Sequence, residues 1–348
     1  MRSLITALLF IAPAFVTAEL NKFIDGLNGC GLTTFASLLP TIEETQTGKV
    51  LVDILSTSTN FSILVPTNEA LSEVPSNITQ DAELVAKIAS YHVVYGNYYS
   101  EDDGIIAETL PDVTIARTLL DDSAFVQLEN NLSQVLVWGR DTQQYREPVE
   151  ILNQPAETTV QEAYLIEGYG IFPINHVLTI PAWLSVTLVN YTQGITTTLI
   201  NVLNSTYVDI PDGRNKTLLE YFDAFYLHGY TFFAPSDDAF GKIASVLPTL
   251  TPGDVLAILL NHVINGTTEY SNGLVSSVAV SGQATTFISN STGAYVVSGS
   301  VTAAIKQTNA LVKNGVVHVI DTVLTDVPEN GDGGGSTGGC KPPSGQFY

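Results

Sequence analysis

Apolar positions recur at helical spacing in residues 31–39, where Leu32, Phe35, Leu38 and Leu39 share a face. Gly48 and Lys49 separate this stretch from a second helical pattern over 50–55. Residues 61–65 then form a run of strand length, apolar but for Ser62 and ended by Pro66. Thr67 is placed to cap the next helix, with Asn68 and Glu69 in its first turn, where the helix dipole favours polar and negative groups. Residues 82–92 are amphipathic, with Leu84, Val85, Ile88, Tyr91 and His92 on one side. Beyond them, alternating segments at 113–119, 125–128 and 134–138 predict strands.

The same order returns later in the chain. Tyr230-Thr-Phe-Phe-Ala-Pro-Ser-Asp-Asp-Ala-Phe240 answers Phe61-Ser-Ile-Leu-Val-Pro-Thr-Asn-Glu-Ala-Leu71. Asn261-His-Val-Ile-Asn-Gly266 answers Tyr91-His-Val-Val-Tyr-Gly96, at the end of a helical pattern carried by Val255, Ile258 and Leu259. Segments at 274–280, 286–289 and 294–298 predict the second set of strands. The period is far too long for a stacked solenoid, so the expectation is two tandem globular domains of α+β class. A third pair of stretches, around His176 and His318, closes each copy. His92 to His176 spans 84 residues and His262 to His318 spans 56, which predicts a 28-residue insertion in the first copy. The polar, aperiodic stretch at 138–155, with Trp138 and Tyr145, is its expected place, because surface loops lengthen at little entropic cost. The expected boundaries are 1–18 for an export signal, 19–181 and 182–328 for the domains, and 329–348 for a glycine-rich flexible tail.

Composition narrows the function. The 348 residues carry a formal charge of −22, which repels phosphate backbones and anionic membranes and argues against nucleic-acid binding. Arg2, the apolar stretch 4–15 and Val16-Thr-Ala18 form the export signal, with cleavage expected after Ala18. That stretch is too short for a membrane span, and the proline-broken run at 171–189 is read as a closing strand and a linker. Eight glycosylation sequons accompany the signal, at Asn60, Asn77, Asn131, Asn190, Asn204, Asn215, Asn265 and Asn290. Asn60 abuts a predicted strand, and Asn265 follows the buried-looking His262-Val-Ile264. The two cysteines, Cys30 and Cys340, either bridge the tail to the first domain or leave the tail to pair with another chain or a wall component. The tail ends without the hydrophobic stretch that a lipid anchor requires.

No phosphate loop, dinucleotide fingerprint, zinc spacing or calcium loop appears, and no cofactor is expected. Gly334-Gly-Ser-Thr-Gly338 spells a nucleophile elbow but lacks the strand and helix that would strain its serine into place. His92, His176, His262 and His318 recur among Val and Ile, as expected of buried imidazoles with structural hydrogen bonds. A catalytic or metal site would need several of them to converge with a carboxylate, so neither is expected.

The three landmarks resemble the fasciclin I (fasciclin-like) domain family. Val65-Pro-Thr-Asn-Glu-Ala-Leu71 and Ala234-Pro-Ser-Asp-Asp-Ala-Phe240 match its first signature, and 91–96 match its central Tyr-His signature. Asn314-Gly-Val-Val-His-Val-Ile-Asp-Thr-Val-Leu324 matches its closing one. The second copy carries Asn261 where the family has tyrosine. The resemblance implies a β-wedge or sandwich wrapped by helices, an extracellular or wall-associated setting, and adhesion or matrix binding. It also implies partner contact through the central Tyr-His pair, here Tyr91 and His92. The expected partner is a cell-surface, matrix or wall protein or glycan, bound without catalysis and with two domains offering bivalency. The alternatives are a module binding small molecules or lipids in an apolar cleft, and an extracellular enzyme.

Overall fold

The computed structural model describes residues 12–141, 148–192, 194–209, 214–224, 227–290 and 292–328. The chain divides into two compact units: Met1–Asp122 with Ser133–Ile180, and Ser123–Leu132 with Pro181–Tyr348. Both mix helices and strands in the expected α+β manner.

In the first unit the helices Ala12–Gly29, Thr33–Glu43 and Gln46–Thr57 precede the strand Phe61–Pro66. The first of them runs across the expected cleavage position after Ala18. All six residues of Phe61–Pro66 are buried, which explains why their sequence is apolar but for Ser62, whose hydroxyl donates to the Gly96 carbonyl. Thr67 caps the helix Asn68–Ser72 by accepting from the Ala70 N–H, and Asp81 caps Ala82–Tyr91 by accepting from Leu84. Phe61–Pro66 pairs parallel to Tyr169–Ile174 on one side and antiparallel to Val93–Tyr95 on the other. The first and closing stretches of the repeat are therefore neighbours in space. A second sheet orders Thr114–Arg117, Val135–Arg140, Val149–Ile151 and Thr158–Thr159. Leu27, Phe35, Ile42, Phe61, Ile63, Val65, Ala86 and Ile171 belong to the core.

The second unit repeats the plan. Thr217 and Thr251 open the helices Leu218–Phe222 and Pro252–Leu260 with reciprocal capping boxes through Glu220 and Asp254. Tyr230–Pro235 again lies between an antiparallel strand, Val263–Asn265, and a parallel one, Gly315–Ile320. Four more strands extend this into a seven-stranded sheet through Val301–Val312. That strand slips register between Ile305 and Ala310, where Asn309 takes a left-handed φ of 57°. Such a bulge bends the strand, so its two halves serve two differently oriented parts of the sheet. Gly315 is required by close approach: a Cβ there would collide with the Tyr230 carbonyl oxygen. Phe222, Phe232, Phe240, Leu203 and Val317 lie in the larger core cluster, and Phe233, Val296 and Ile320 in the smaller.

Three sequence expectations change. Residues 125–128 are not a strand, 274–280 contract to Ser277–Val278, and Val301–Val312 was not anticipated. Lys306-Gln-Thr-Asn309 interrupts the apolar alternation of that longest strand, and the bulge is the physical reason.

The matched histidines also change. In the parallel pairs Leu64 faces Phe172 and Phe233 faces His318, while Pro66 faces Ile174 and Pro235 faces Ile320. His318 is therefore the counterpart of Phe172, and His176 that of Thr322. Equivalent backbone bonds locate the additional length of the first copy. Thr118 and Gln134 pair as Ala279 and Gln283 do, across 16 positions instead of 4. From Gln134 to Leu178 there are 44 positions, against 41 from Gln283 to Leu324. The largest share of the additional length, 12 positions, thus lies at 118–134 and includes Ser123–Leu132, a piece of the second unit; nine more lie between His92 and Thr118, set against His262 and Ala279, and three beyond Gln134, where 138–155 lies. Aligning the histidines by letter had displaced the comparison by four residues. Residues 142–147 of the expected insertion, including Tyr145, fall outside the described residues.

Candidate functional site

The central stretch of each copy ends a helix, and its histidine lies at the point where three parts of the domain meet. His92 is buried; its Nδ1–H donates to the Ile88 carbonyl at 2.9 Å and its Nε2 accepts from the Leu178 N–H at 3.0 Å. Its own carbonyl accepts from Leu64 at 2.9 Å. His262 repeats each bond: Nδ1–H to Ile258 at 2.7 Å, Nε2 from Leu324 at 2.9 Å, and its carbonyl from Phe233 at 2.9 Å. One residue thus ties helix, signature strand and closing segment together. Burial pushes both imidazoles down to about 4, so both are neutral near pH 7. His318 is also held near 4 by burial; it donates from Nε2 to the Glu269 carbonyl at 2.9 Å and stacks on Phe233. His176 lies apart and half-exposed, with Nδ1 3.7 Å from a Glu73 carboxylate oxygen. With both ring nitrogens of His92 and His262 engaged by backbone, these imidazoles have no lone pair or proton left to offer a substrate. Among the described residues no group of three His, Cys, Asp or Glu side chains is arranged to hold a metal ion.

Tyr91 is fully buried, and its hydroxyl donates to the Val135 carbonyl at 3.3 Å. The side chains of Tyr91 and His92 are both buried and bonded within the fold, where each has a structural part to play. The exposed aromatic of that stretch is Tyr95, which is 47% accessible and lies on the Phe61 ring at 5.2 Å between centroids. In the second unit Asn261 stands for Tyr91. It too is buried, and its amide donates to the Leu324 and Asp326 carbonyls and Ser298 Oγ while its oxygen accepts from Ser281. A hydrogen-bond network there does what ring packing does in the first unit.

A second repeated device was not visible in the sequence. Asn68 accepts from the Thr34 N–H at 2.9 Å and donates to the Gly31 carbonyl at 2.9 Å, closing the start of helix Thr33–Glu43. Asp237 does likewise for helix Thr197–Ser205, accepting from Thr198 at 2.6 Å and Thr197 at 3.3 Å. The Thr-Thr pair that begins each domain's helix was the available signal.

Seven sequon asparagines, at 60, 77, 131, 190, 204, 215 and 290, are exposed, and Asn265 is half-buried. Asn60 and Asn290 make their bonds through the carbonyl oxygen, which leaves the bonding of the amide nitrogen compatible with a glycan. Cys30 is half-buried and burial pushes its thiol up; Cys340 lies outside the described residues. The first unit also holds a cleft of about 460 Å³ lined by Leu20, Phe23, Val52, Leu55, Ile63 and Tyr169, with Glu19, Lys22 and Glu167 polar at its margin. No described helix is long and apolar enough to cross a membrane.

No curated protein matches this chain. Among solved structures it is similar to a FAS1 domain pair from the insect cell adhesion molecule fasciclin I, at 14% identity and a TM-score of 0.39, covering 86% of this chain and 98% of that one. The Fasciclin domain family matches residues 31–141 and 197–326, more than half of the sequence, each match containing one signature strand and one of the two histidines His92 and His262. The chain therefore belongs to the fasciclin domain family, as a tandem pair.

Proposed function

We propose that this chain is an exported, N-glycosylated adhesion protein that binds a matrix, cell-wall or cell-surface partner without catalysis. Fasciclin domains are adhesion-type modules, typically extracellular or at the cell surface. The observation that carries the reading is the distribution of chemistry in the two domains. The signature histidines are spent inside the fold, while seven sequons and Tyr95 face outward. The recognising surface of the first domain is assigned to the edge around Tyr95 and Asn60, because Tyr95 is a large ring held rigid by Phe61. Two modules give two attachment points.

The test is expression of the full chain in a host with a secretory pathway. The protein is expected in the medium, losing mass when N-glycans are removed, and binding saturably to wall, matrix or glycan surfaces. Tyr95→Ala is expected to weaken that binding about tenfold and Tyr91→Phe to leave it unchanged. Absence of binding to every such surface would overturn the adhesion reading.

A second reading, a module for an apolar small molecule, is favoured by the first unit's cleft alone. Saturable uptake of a fluorescent fatty acid, abolished by filling the cleft with Leu55→Trp, would support it. Uptake that is absent, or unchanged by that substitution, would dismiss it.

A further inference from the structure

Half of the 24 positions by which His92–Leu178 exceeds His262–Leu324 lie between Thr118 and Gln134, and most of that half, Ser123–Leu132, is part of the second unit. Within that unit the segment is fixed by backbone as well as side chains. Val126, Gln127 and Leu128 are buried. The Gln127 N–H donates to the Lys313 carbonyl at 2.8 Å, and the Gln127 carbonyl accepts from the Gly229 N–H at 3.1 Å. Gln127 therefore bridges the residue that opens strand Tyr230–Pro235 and the turn that joins Val301–Val312 to Gly315–Ile320. The Glu129 carboxylate accepts from the Thr268 N–H at 3.1 Å and its hydroxyl at 2.6 Å. The Lys313 ammonium donates to the Ala124 carbonyl and sits 4.5 Å over the Trp183 ring.

The two repeats differ at the position that admits this segment. Gly266 donates to Gly229 as Gly96 donates to Asn60, so Gly229 is the counterpart of Asn60. A Cβ at Gly229, whose φ is +76°, would collide with Glu129. Where the first domain has a side chain bearing a sequon, the second has a vacant backbone edge, and Ser123–Leu132 lies against it. Charge-assisted bonds from Glu129 and Lys313 fasten the two ends of the segment.

We propose that Ser123–Leu132 is an integral edge element of the second domain, supplied from within the sequence of the first, and that the second domain depends on it for stability. It covers a strand end that would otherwise offer unpaired backbone groups to another chain. The sequence boundary near residue 181 is then not a boundary of stability, and a fragment beginning there lacks part of its own sheet edge.

The test uses the full chain and amide hydrogen exchange, which resolves stability strand by strand. Glu129→Ala is expected to speed exchange in Tyr230–Pro235 and Gly315–Ile320 by about tenfold, as loss of charged hydrogen bonds requires. Exchange in Phe61–Pro66 and Tyr169–Ile174 should stay unchanged, and Glu129→Gln should retain part of the protection. A second variant deletes Ser123–Leu132, leaving seven residues (118–122, 133 and 134) in a connection that takes five at 279–283. It is expected to leave the first domain's strands protected and to strip protection from the second domain's. Loss confined to the first domain, equal loss in both, or no change in either variant would overturn the proposal.

Discussion

His92 and His262 show how a single side chain can hold a domain closed. Each neutral imidazole satisfies one buried carbonyl and one buried N–H, and the partners Leu178 and Leu324 lie 86 and 62 residues further on. His92→Leu removes both bonds while keeping bulk, so it is expected to cost about 3 kcal/mol, read as a lowered urea midpoint at pH 7. The pH dependence has a definite sign. Folded His92, His262 and His318 titrate near 4, below the 6.5 of an unfolded histidine. Unfolded chain therefore takes up protons first as pH falls. The stabilisation is full above pH 6.5 and is lost progressively down to about 4, by up to roughly 3 kcal/mol per imidazole. In His92→Leu that acid-side loss should shrink by about one imidazole's share; a curve parallel to the parent's would refute the assignment. The sequence showed that these histidines were structural, because apolar neighbours surround them in both copies. It did not show what they bind, since nothing local encodes a partner 60 to 90 residues away. It also misled on His176 and His318, whose letters match while their strand positions do not.

At the scale of elements, the residues that open helices matter more than the helices' own periodicity. Thr67 and Ser236 cap the helices that follow the signature strands, as their position after proline predicted. Asn68 and Asp237 reach instead to a different helix, 34 and 39 residues earlier in sequence. Asp237→Ala is expected to destabilise by about 1–2 kcal/mol and to fray helix Thr197–Ser205 from its start, whereas Asp237→Asn should retain most of the bonding, as Asn68 does naturally. Loss of exchange protection at residues 199–202 in the alanine variant alone checks this; equal loss in both variants would mean that charge rather than hydrogen bonding is what counts. Elements that are apolar but for one hydroxyl residue, such as Phe61–Pro66 with Ser62 and Tyr230–Pro235 with Thr231, were legible from sequence because both faces are buried. Val301–Val312 was not, since a bulge turns its middle outward and puts Lys306 and Gln307 in mid-strand. Residues 125–128 read as a strand because Phe125, Val126 and Leu128 are apolar about a polar Gln127, yet they are loop, held to the neighbouring backbone through Gln127.

For the whole molecule two electrostatic effects oppose each other on acidification. A charge of −22 makes the compact state repel itself, and protonating carboxylates relieves this. Protonating the unfolded chain's histidines acts the other way, through three buried imidazoles that remain neutral in the fold. The two differ in their response to salt. Repulsion among exposed charges acts over many ångströms and is largely screened at 0.15 M, where the Debye length is about 8 Å. The histidine effect is the difference between a desolvated ring and a hydrated one, and salt scarcely touches it. Stability between pH 6.5 and 4.5 should therefore fall more steeply in about 0.5 M salt than in about 0.02 M, because salt removes the opposing relief while leaving the histidine loss. Urea unfolding at the two ionic strengths measures both slopes. In the triple variant with His92, His262 and His318 each replaced by Leu, the salt-dependent part should persist and the steep acid loss should vanish. If salt instead flattened the acid limb of the parent protein, surface charge would govern its pH response, and the buried imidazoles would have to be ionised within the fold, contrary to their two backbone bonds.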